Sequence, residues 1–468
     1  MSKVELRLPK GTRDYVGLEY LRMEALQNTV RDVFAIHSPT YLETPTFELT
    51  NVLMNKYGED EKLIYNLESS TKPKTTQDGK EEADDSTGEN AEKGEATHAD
   101  SMFKERLSLR YDLTVPLVRY CIQNGIAKMR RASIGKVYRR ETTSASNKRL
   151  REFYQADFDF VGDFEELLPE LSIFAMIQDL MRRLNLPNYE IIYNYRESLD
   201  LCAQMAGIDS SLFSTVCSSI DKLDKHDRSY VEEEMMGKGL TADQVKTLFD
   251  AIDANTMTES TREFNTRLIE SVNAMSNIDR SKLRLDSTLA RGSDYYTGII
   301  FEVKLTGSEF SSSIAGGGRY DKLIPSYLPP PKVTRKQRKA GITKVEASFP
   351  MIGFSFGLDR VLQFLPDDVI TRDARPIWIG TIGKVDQNVK LRFVSEFQAA
   401  NICVLYNLKS RKFTKEIQDA EGANCSHVLI IGEQEYAESK FKLKNMDKRT
   451  EEFYSFDEID EVIRIVSA

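Results

Sequence analysis

Eleven residues restrict this chain more than any others: Glu152-Phe-Tyr-Gln-Ala-Asp-Phe-Asp-Phe-Val-Gly162. Successive side chains of a strand point to opposite faces. Tyr154, Ala156, Phe158 and Phe160 then share an apolar face, and Phe153, Gln155, Asp157 and Asp159 share the other. The stretch Ala132–Glu141 ahead of it reads as a strand ending in charge, and the polar loop Thr142–Arg149 joins the two as an antiparallel pair. The second face of Glu152–Gly162 holds an aromatic ring, an amide and two carboxylates. On an open sheet that row is a solvated face. Beneath a cleft it is an acceptor-rich pocket for a ligand with N–H groups or positive charge.

Two further stretches suggest a ligand. Arg291-Gly-Ser-Asp-Tyr-Tyr-Thr-Gly-Ile-Ile-Phe-Glu302 sets a cation at a glycine and two phenols ahead of a strand-like run. Ala315-Gly-Gly-Gly-Arg-Tyr-Asp321 lets backbone and a cation approach a bound molecule closely. Around them the chain predicts a helix over Gly17–Ile36, a strand Tyr41–Leu49 broken by Pro45 and so suited to an edge or an interface, a helix over 163–186, and a strand Glu190–Asn194. Residues 199–275 read as a charged helical insertion with Ile220–Lys225 on its surface. Pro350–Leu362 passes from strand through glycines into a helix. Beyond a linker at 366–374, residues 375–468 repeat a β-α-β-α-β pattern, a separate α/β domain.

Composition sets the outer limits. The 468 residues allow two to four domains. No apolar run is long enough to cross a membrane, and Met1–Leu6 lacks the apolar core of a signal peptide. Five scattered cysteines suit free thiols in a reducing compartment, and the four histidines show no metal-ligand spacing, so no protein-built metal site is expected. Net charge is −9, but residues 70–101 alone carry nine acids against four lysines and no large apolar residue; they read as a disordered acidic insertion. Overall acidity therefore does not exclude nucleic acid, which binds local patches. Residues 328–348, led by prolines and carrying six cations, are either a phosphate-contacting segment or a flexible surface loop.

These motifs, in order, resemble the histidyl-tRNA synthetase family in its eukaryotic-type form, over nearly the whole chain. Arg291–Gly298 and Ala315–Asp321 look like the two histidine-specific signatures; Lys10–Asp14 matches the N-terminal segment; Pro45 sits in the class II dimer motif. Tyr138-Arg-Arg-Glu141 with Arg149 and Phe153 matches the second class II motif, and Gly353–Arg360 the third. The resemblance implies an α+β catalytic domain on an antiparallel sheet over 1–365, with the helical insertion inside it, and an anticodon-binding domain over 375–468. It also implies a cytoplasmic homodimer that uses ATP, Mg²⁺, L-histidine and tRNA(His). Arg139 and Arg291 would act on the α-phosphate. Glu141, Arg149, Phe153 and Arg360 would join Arg139 in holding ATP. Asp112, Thr114, Gln155, Asp159, Tyr295, Tyr296 and Tyr320 would hold histidine. The chain departs from the family at Ser293, at Asp359 where glutamate is commoner, and in a motif-two loop without proline. The competing readings are an inactive synthetase-like regulatory or tRNA-sensing protein, and a general nucleic-acid-binding protein whose binding needs neither ATP nor histidine.

Overall fold

The structure, a computed structural model, describes residues 6–54, 57–67, 106–142, 149–224, 226–290, 295–307, 312–329, 347–366, 375–407 and 412–467. The acidic segment 70–101, Arg291, and most of 328–348, of the linker and of the motif-two loop lie outside the described residues. The chain divides into two compact units, Met1–Val369 and Ile370–Ala468.

The first unit is built on strands β1 (Thr40–Tyr41), β4 (Lys128–Tyr138), β5 (Glu152–Gly162), β6 (Tyr189–Tyr195), β7 (Leu283–Leu285), β8 (Ile299–Leu305), β9 (Ala315–Arg319) and β10 (Met351–Gly357). Two short strands, β2 (Phe47–Leu49) and β3 (Leu107–Leu109), pair with each other apart from it. The large sheet runs in the order β1-β4-β5-β10-β9-β8-β6-β7. Its six inner strands are antiparallel, and only the edge strands β1 and β7 run parallel to their neighbours. β5 spans the predicted residues. β4 begins at Lys128, four residues earlier than the sequence suggested, and stops before Arg139.

The apolar face of the sheet that β5 belongs to meets two helices. Helix α1 (Leu18–Ile36) buries Met23, Leu26, Val30, Val33 and Phe34 along one stripe, and the Phe34 ring sits 5.3 Å from Phe158 and 6.0 Å from Phe354. Helix α3 (Leu168–Arg183), shorter than the predicted 163–186, buries Phe174, Ile177, Leu180 and Met181. Each such side chain contributes about 1.5–3 kcal/mol on leaving water. Helix α2 (Thr114–Asn124) carries Leu117, Val118 and Cys121 into a smaller cluster with Tyr320.

Among the described residues, five α-helices separate β6 from β7: α4 (Arg196–Met205), α5 (Phe213–Ile220), α6 (Arg228–Gly237), α7 (Ala242–Asp253) and α8 (Glu259–Ala274). The first four enclose their own core of Leu199, Val216, Val231 and Phe249, closed by Ile192 and Ile300 of the sheet. Leu268 and Val272 of α8 join the main core instead. The expected surface position of Ile220–Lys225 needs correction at its start. Ile220 falls on one helical stripe with Phe213 and Val216 and is 1% exposed, and Asp221 after it lines a cleft.

The second unit has a five-stranded sheet ordered β12-β11-β13-β14-β15, with β11 (Ile377–Thr381) parallel to β12 (Val404–Leu405) and β13 (His427–Ile431). Strands β14 (Lys440–Asn445) and β15 (Glu451–Ser455) add an antiparallel hairpin that the sequence reading lacked. In this stretch Lys440, Lys442 and Lys444 alternate with Phe441 and Leu443, which are buried. Helices Gln387–Ala399, Phe413–Gly422 and Ile459–Ser467 pack against this sheet.

Candidate active site

A cleft of about 650 Å³ opens on the second face of the first unit's sheet. Strand register builds its floor in rows. Arg131, Asp159, Gly353, Gly318 and Ile300 face one another across β4, β5, β10, β9 and β8. The next row is Ser133, Asp157, Ser355, Gly316 and Glu302. The polar face of β5 is therefore a cleft floor, not a solvated surface: Asp157 and Asp159 are each 2% exposed.

Glycines make the floor deep. A Cβ on Gly353 would collide with the Asp159 carboxylate, and one on Gly318 would stand 2.7 Å from the Ile299 carbonyl and 3.0 Å from the Tyr296 ring. Three glycines in β9 keep side chains out of a strand at the centre of the sheet.

The floor carries more acid than base. Arg131, 0% exposed, lies 2.9 Å from Asp159 and 3.7 Å from Asp157, and its guanidinium donates to the Leu113 carbonyl at 3.0 Å. One arginine faces two carboxylates. Burial raises both aspartates above the usual carboxylate range, and Arg131 opposes this only in part. The Tyr320 hydroxyl donates to Asp159. Asp112 is 7% exposed and accepts from Tyr57 Oη at 3.1 Å and from the Thr114 and Val115 amides at the start of α2. Burial raises its pKa too. Gln155 Oε1 is buried with no hydrogen-bond partner among the described residues. The rings of Tyr295, Tyr296 and Tyr320 cluster over this corner, Tyr295 lying 5.1 Å from Tyr296 and 5.8 Å from Tyr320.

The other end of the cleft is cationic. The Arg139 guanidinium stacks 4.3 Å from the Tyr111 ring and 5.3 Å from Phe153, with its Nε donating to the Tyr111 carbonyl at 3.2 Å. Glu141 lies 3.2 Å from Arg149 and 3.9 Å from Arg139. Arg360 donates to the Ser313 carbonyl at 2.6 Å. Asp359, 4% exposed, accepts from the Tyr154 amide at 2.6 Å and from the Tyr15 hydroxyl, so the N-terminal segment is tied to the third motif.

Every described residue that the sequence nominated lines this one cleft: Arg139, Glu141, Arg149, Phe153 and Arg360 toward one end, Asp112, Thr114, Gln155, Asp159, Tyr295, Tyr296 and Tyr320 toward the other. Arg291 lies outside the described residues.

Comparison with known proteins matches this arrangement to one family. The histidyl-tRNA synthetase family model covers residues 82–333, and the anticodon binding domain model covers 381–465. A cytoplasmic histidine–tRNA ligase of Dictyostelium discoideum is 30% identical over 473 residues, 96% of this chain and 88% of the relative. The chain belongs to the histidyl-tRNA synthetase family. A Saccharomyces cerevisiae relative, named as a mitochondrial histidine–tRNA ligase, is 30% identical over 95% of this chain and 83% of its own length. The fold matches that of the histidyl-tRNA synthetase from Nostoc sp. PCC 7120, with a TM-score of 0.69 at 22% identity, over 99% of this chain and 100% of that one. The function is that of a histidine–tRNA ligase, and the reading as an inactive regulatory relative is not favoured.

Sequence reasoning missed Arg131, Tyr111 and Glu302. Starting β4 at Ala132 left Arg131 outside the strand; extending it to Lys128 sets Arg131 opposite Asp159 on the polar face. Glu302 alternates with Phe301 and Val303 in β8, and the same period-two argument that exposed the β5 row finds it. Tyr111 left no signal beyond its place next to Asp112.

Proposed function

We propose that this cleft runs both steps of the ligase reaction. A carboxylate oxygen of histidine attacks the α-phosphorus of ATP and pyrophosphate leaves; the terminal ribose hydroxyl of tRNA(His) then attacks the acyl carbon and AMP leaves. What supports this division of the cleft is the floor itself, a buried carboxylate and tyrosine hydroxyl at one end and, at the other, Arg139 lying against two aromatic rings. Asp159, Gln155 and Tyr320, with Tyr295 and Tyr296, would satisfy both ring nitrogens of histidine. A site built to pair those groups rejects analogues that leave it unpaired. Asp112 and Thr114 would take the amino group. Phe153 would stack on adenine, Glu141 would contact its edge, and Arg149 and Arg360 would hold the outer phosphates. Arg139 and Arg291 would meet the charge that develops at the α-phosphate. No covalent role falls to the protein; positioning and fixed cations suffice.

Mg²⁺ enters this scheme with ATP, whose phosphates supply most of the oxygens the ion takes. Among the described residues no group of three or more His, Cys, Asp or Glu could hold a metal. The ion would neutralise charge on the departing pyrophosphate. The unit from about residue 375 onward would bind the anticodon of tRNA(His). Cytoplasmic residence fits the name of the Dictyostelium relative, and among the described residues no helix is long and apolar enough to cross a membrane.

The deciding measurement is histidine-dependent exchange of labelled pyrophosphate into ATP. Exchange that needs histidine and Mg²⁺ is expected. A pure, folded protein that binds ATP yet shows no exchange would overturn the proposal.

We place the homodimer contact at Pro45. Around it Tyr41 is 52%, Phe47 51% and Leu49 36% exposed, an apolar edge suited to a second copy. Sedimentation should show a dimer for the native chain and a monomer for Phe47→Asp. A native chain that sediments as a monomer at micromolar concentration would refute the assignment.

A further inference from the structure

The two signature stretches are tied together on the side facing away from the substrate. Tyr320 points to Asp159, so its neighbours Arg319 and Asp321 point the other way. Arg319 Nε donates to Asp321 at 2.8 Å, and its Nη1 donates to Glu170 at 3.2 Å. Glu170 belongs to α3 and is 1% exposed. Three bonds reach the other signature: the Thr297 amide donates to the Arg319 carbonyl at 2.7 Å, the Thr297 hydroxyl donates to the same carbonyl at 3.4 Å, and the Asp321 amide donates to the Thr297 hydroxyl at 3.0 Å. Asp321 also accepts from the Met351 amide at 2.9 Å, which secures the start of β10. Gly298 lies flat on the Arg319 stem, where an added Cβ would stand 3.1 Å from its Cδ.

We propose that Arg319, Asp321, Thr297 and Glu170 form a positioning latch that holds the Tyr295–Tyr296 turn and Tyr320 over the histidine end of the cleft. None of the four reaches that end. They fix the backbone from which three phenol rings project. A buried ion pair suits the task because Glu170 is 1% exposed while Arg319 covers it, and losing Arg319 would leave its charge without a counter-ion. A lysine at 319 cannot bond two carboxylates as a fork does.

A second cavity, of about 790 Å³, gives access to the latch. Glu170, Arg319, Asp321, Thr297 and Gly298 line it, and Tyr295 and Tyr296 form the wall it shares with the substrate cleft. Removing the Arg319 side chain would therefore leave a two-carboxylate hole open to solutes, which a guanidinium ion fits.

The test is pyrophosphate exchange with Arg319→Ala and Thr297→Val, in the absence and presence of millimolar guanidinium chloride. For Arg319→Ala, KM for histidine should rise about tenfold or more, with KM for ATP within twofold of native, and guanidinium should lower the histidine KM again. Thr297→Val, which keeps shape and loses the hydroxyl, should raise the histidine KM several-fold with little change in Tm. If Arg319→Ala does not fold, Thr297→Val carries the decision. An unchanged histidine KM in Thr297→Val, or equal losses toward both substrates in Arg319→Ala that guanidinium does not restore, would overturn the latch. The inference rests on the proposed histidine pocket, and Tyr296→Phe and Tyr320→Phe separate the two. If those leave the histidine KM unchanged, the pocket reading fails; if they raise it while the latch variants do not, only the latch fails.

Discussion

Arg131→Met is expected to cost the protein several kcal/mol and most of its affinity for histidine. The side chain is 0% exposed and holds two carboxylates that are themselves 2% exposed. Removing one partner of a buried ion pair costs about 3–5 kcal/mol, because the remaining charge has neither water nor a counter-ion. For a unit of this size that lowers Tm by roughly 5 °C. The deficit should depend on pH in a defined direction. Burial already places the folded-state pKa of Asp157 and Asp159 above the unfolded value, and losing Arg131 raises both further. The native state then holds more protons than the unfolded chain, so stability falls as pH rises. Thermal unfolding should show the variant's deficit growing from about pH 6 to about pH 9, as the pH passes the native pKa of Asp157, pushed up to about 7. A deficit that shrinks over that range would refute this account of the floor. Adding Asp159→Asn to Arg131→Met should recover part of the Tm without recovering the histidine KM, since the amide relieves the charge but the arginine's hold on the row is gone.

Arg139→Ala should lower the exchange rate by about 10²–10³, the usual loss for one preorganised group at developing charge. Its guanidinium already lies 4.3 Å from the Tyr111 ring and 5.3 Å from the Phe153 ring before any substrate arrives. Arg139→Lys should recover little, because an ammonium on a flexible stem neither stacks between two rings nor meets two oxygens at once. Single-turnover adenylate formation reads the effect directly. A rate within a few-fold of native for the alanine variant would remove Arg139 from the catalytic set.

Where one rule dominated, the sequence was legible. Period two located β5 to the residue and sorted its faces, because Asp157 and Asp159 alternate there with Phe158 and Phe160. The cleft residues could be nominated because their motifs stand in a fixed order. Two things could not be read. One was whether the acidic face was covered, which depends on helices more than forty residues further on that close over β8 through Ile300. The other was the hairpin β14–β15, whose outward lysines hide the buried Phe441 and Leu443 from any measure that averages over neighbours. Arg131 fell between these cases. Its role follows from register, and register follows from where a strand begins, which basic residues at Lys128, Arg130 and Arg131 obscured.

The glycine run in β9 has a consequence for redesign. Where Gly316 and Gly318 face the cleft, the bottom is main chain, and main chain has no rotamers to rearrange and nothing left to trim. Substitution there can only make the chamber shallower. Over these two glycines a variant meant to accept a bulkier amino acid must gain its room from the ceiling of phenol rings, so at this point specificity is adjustable from above and fixed from below.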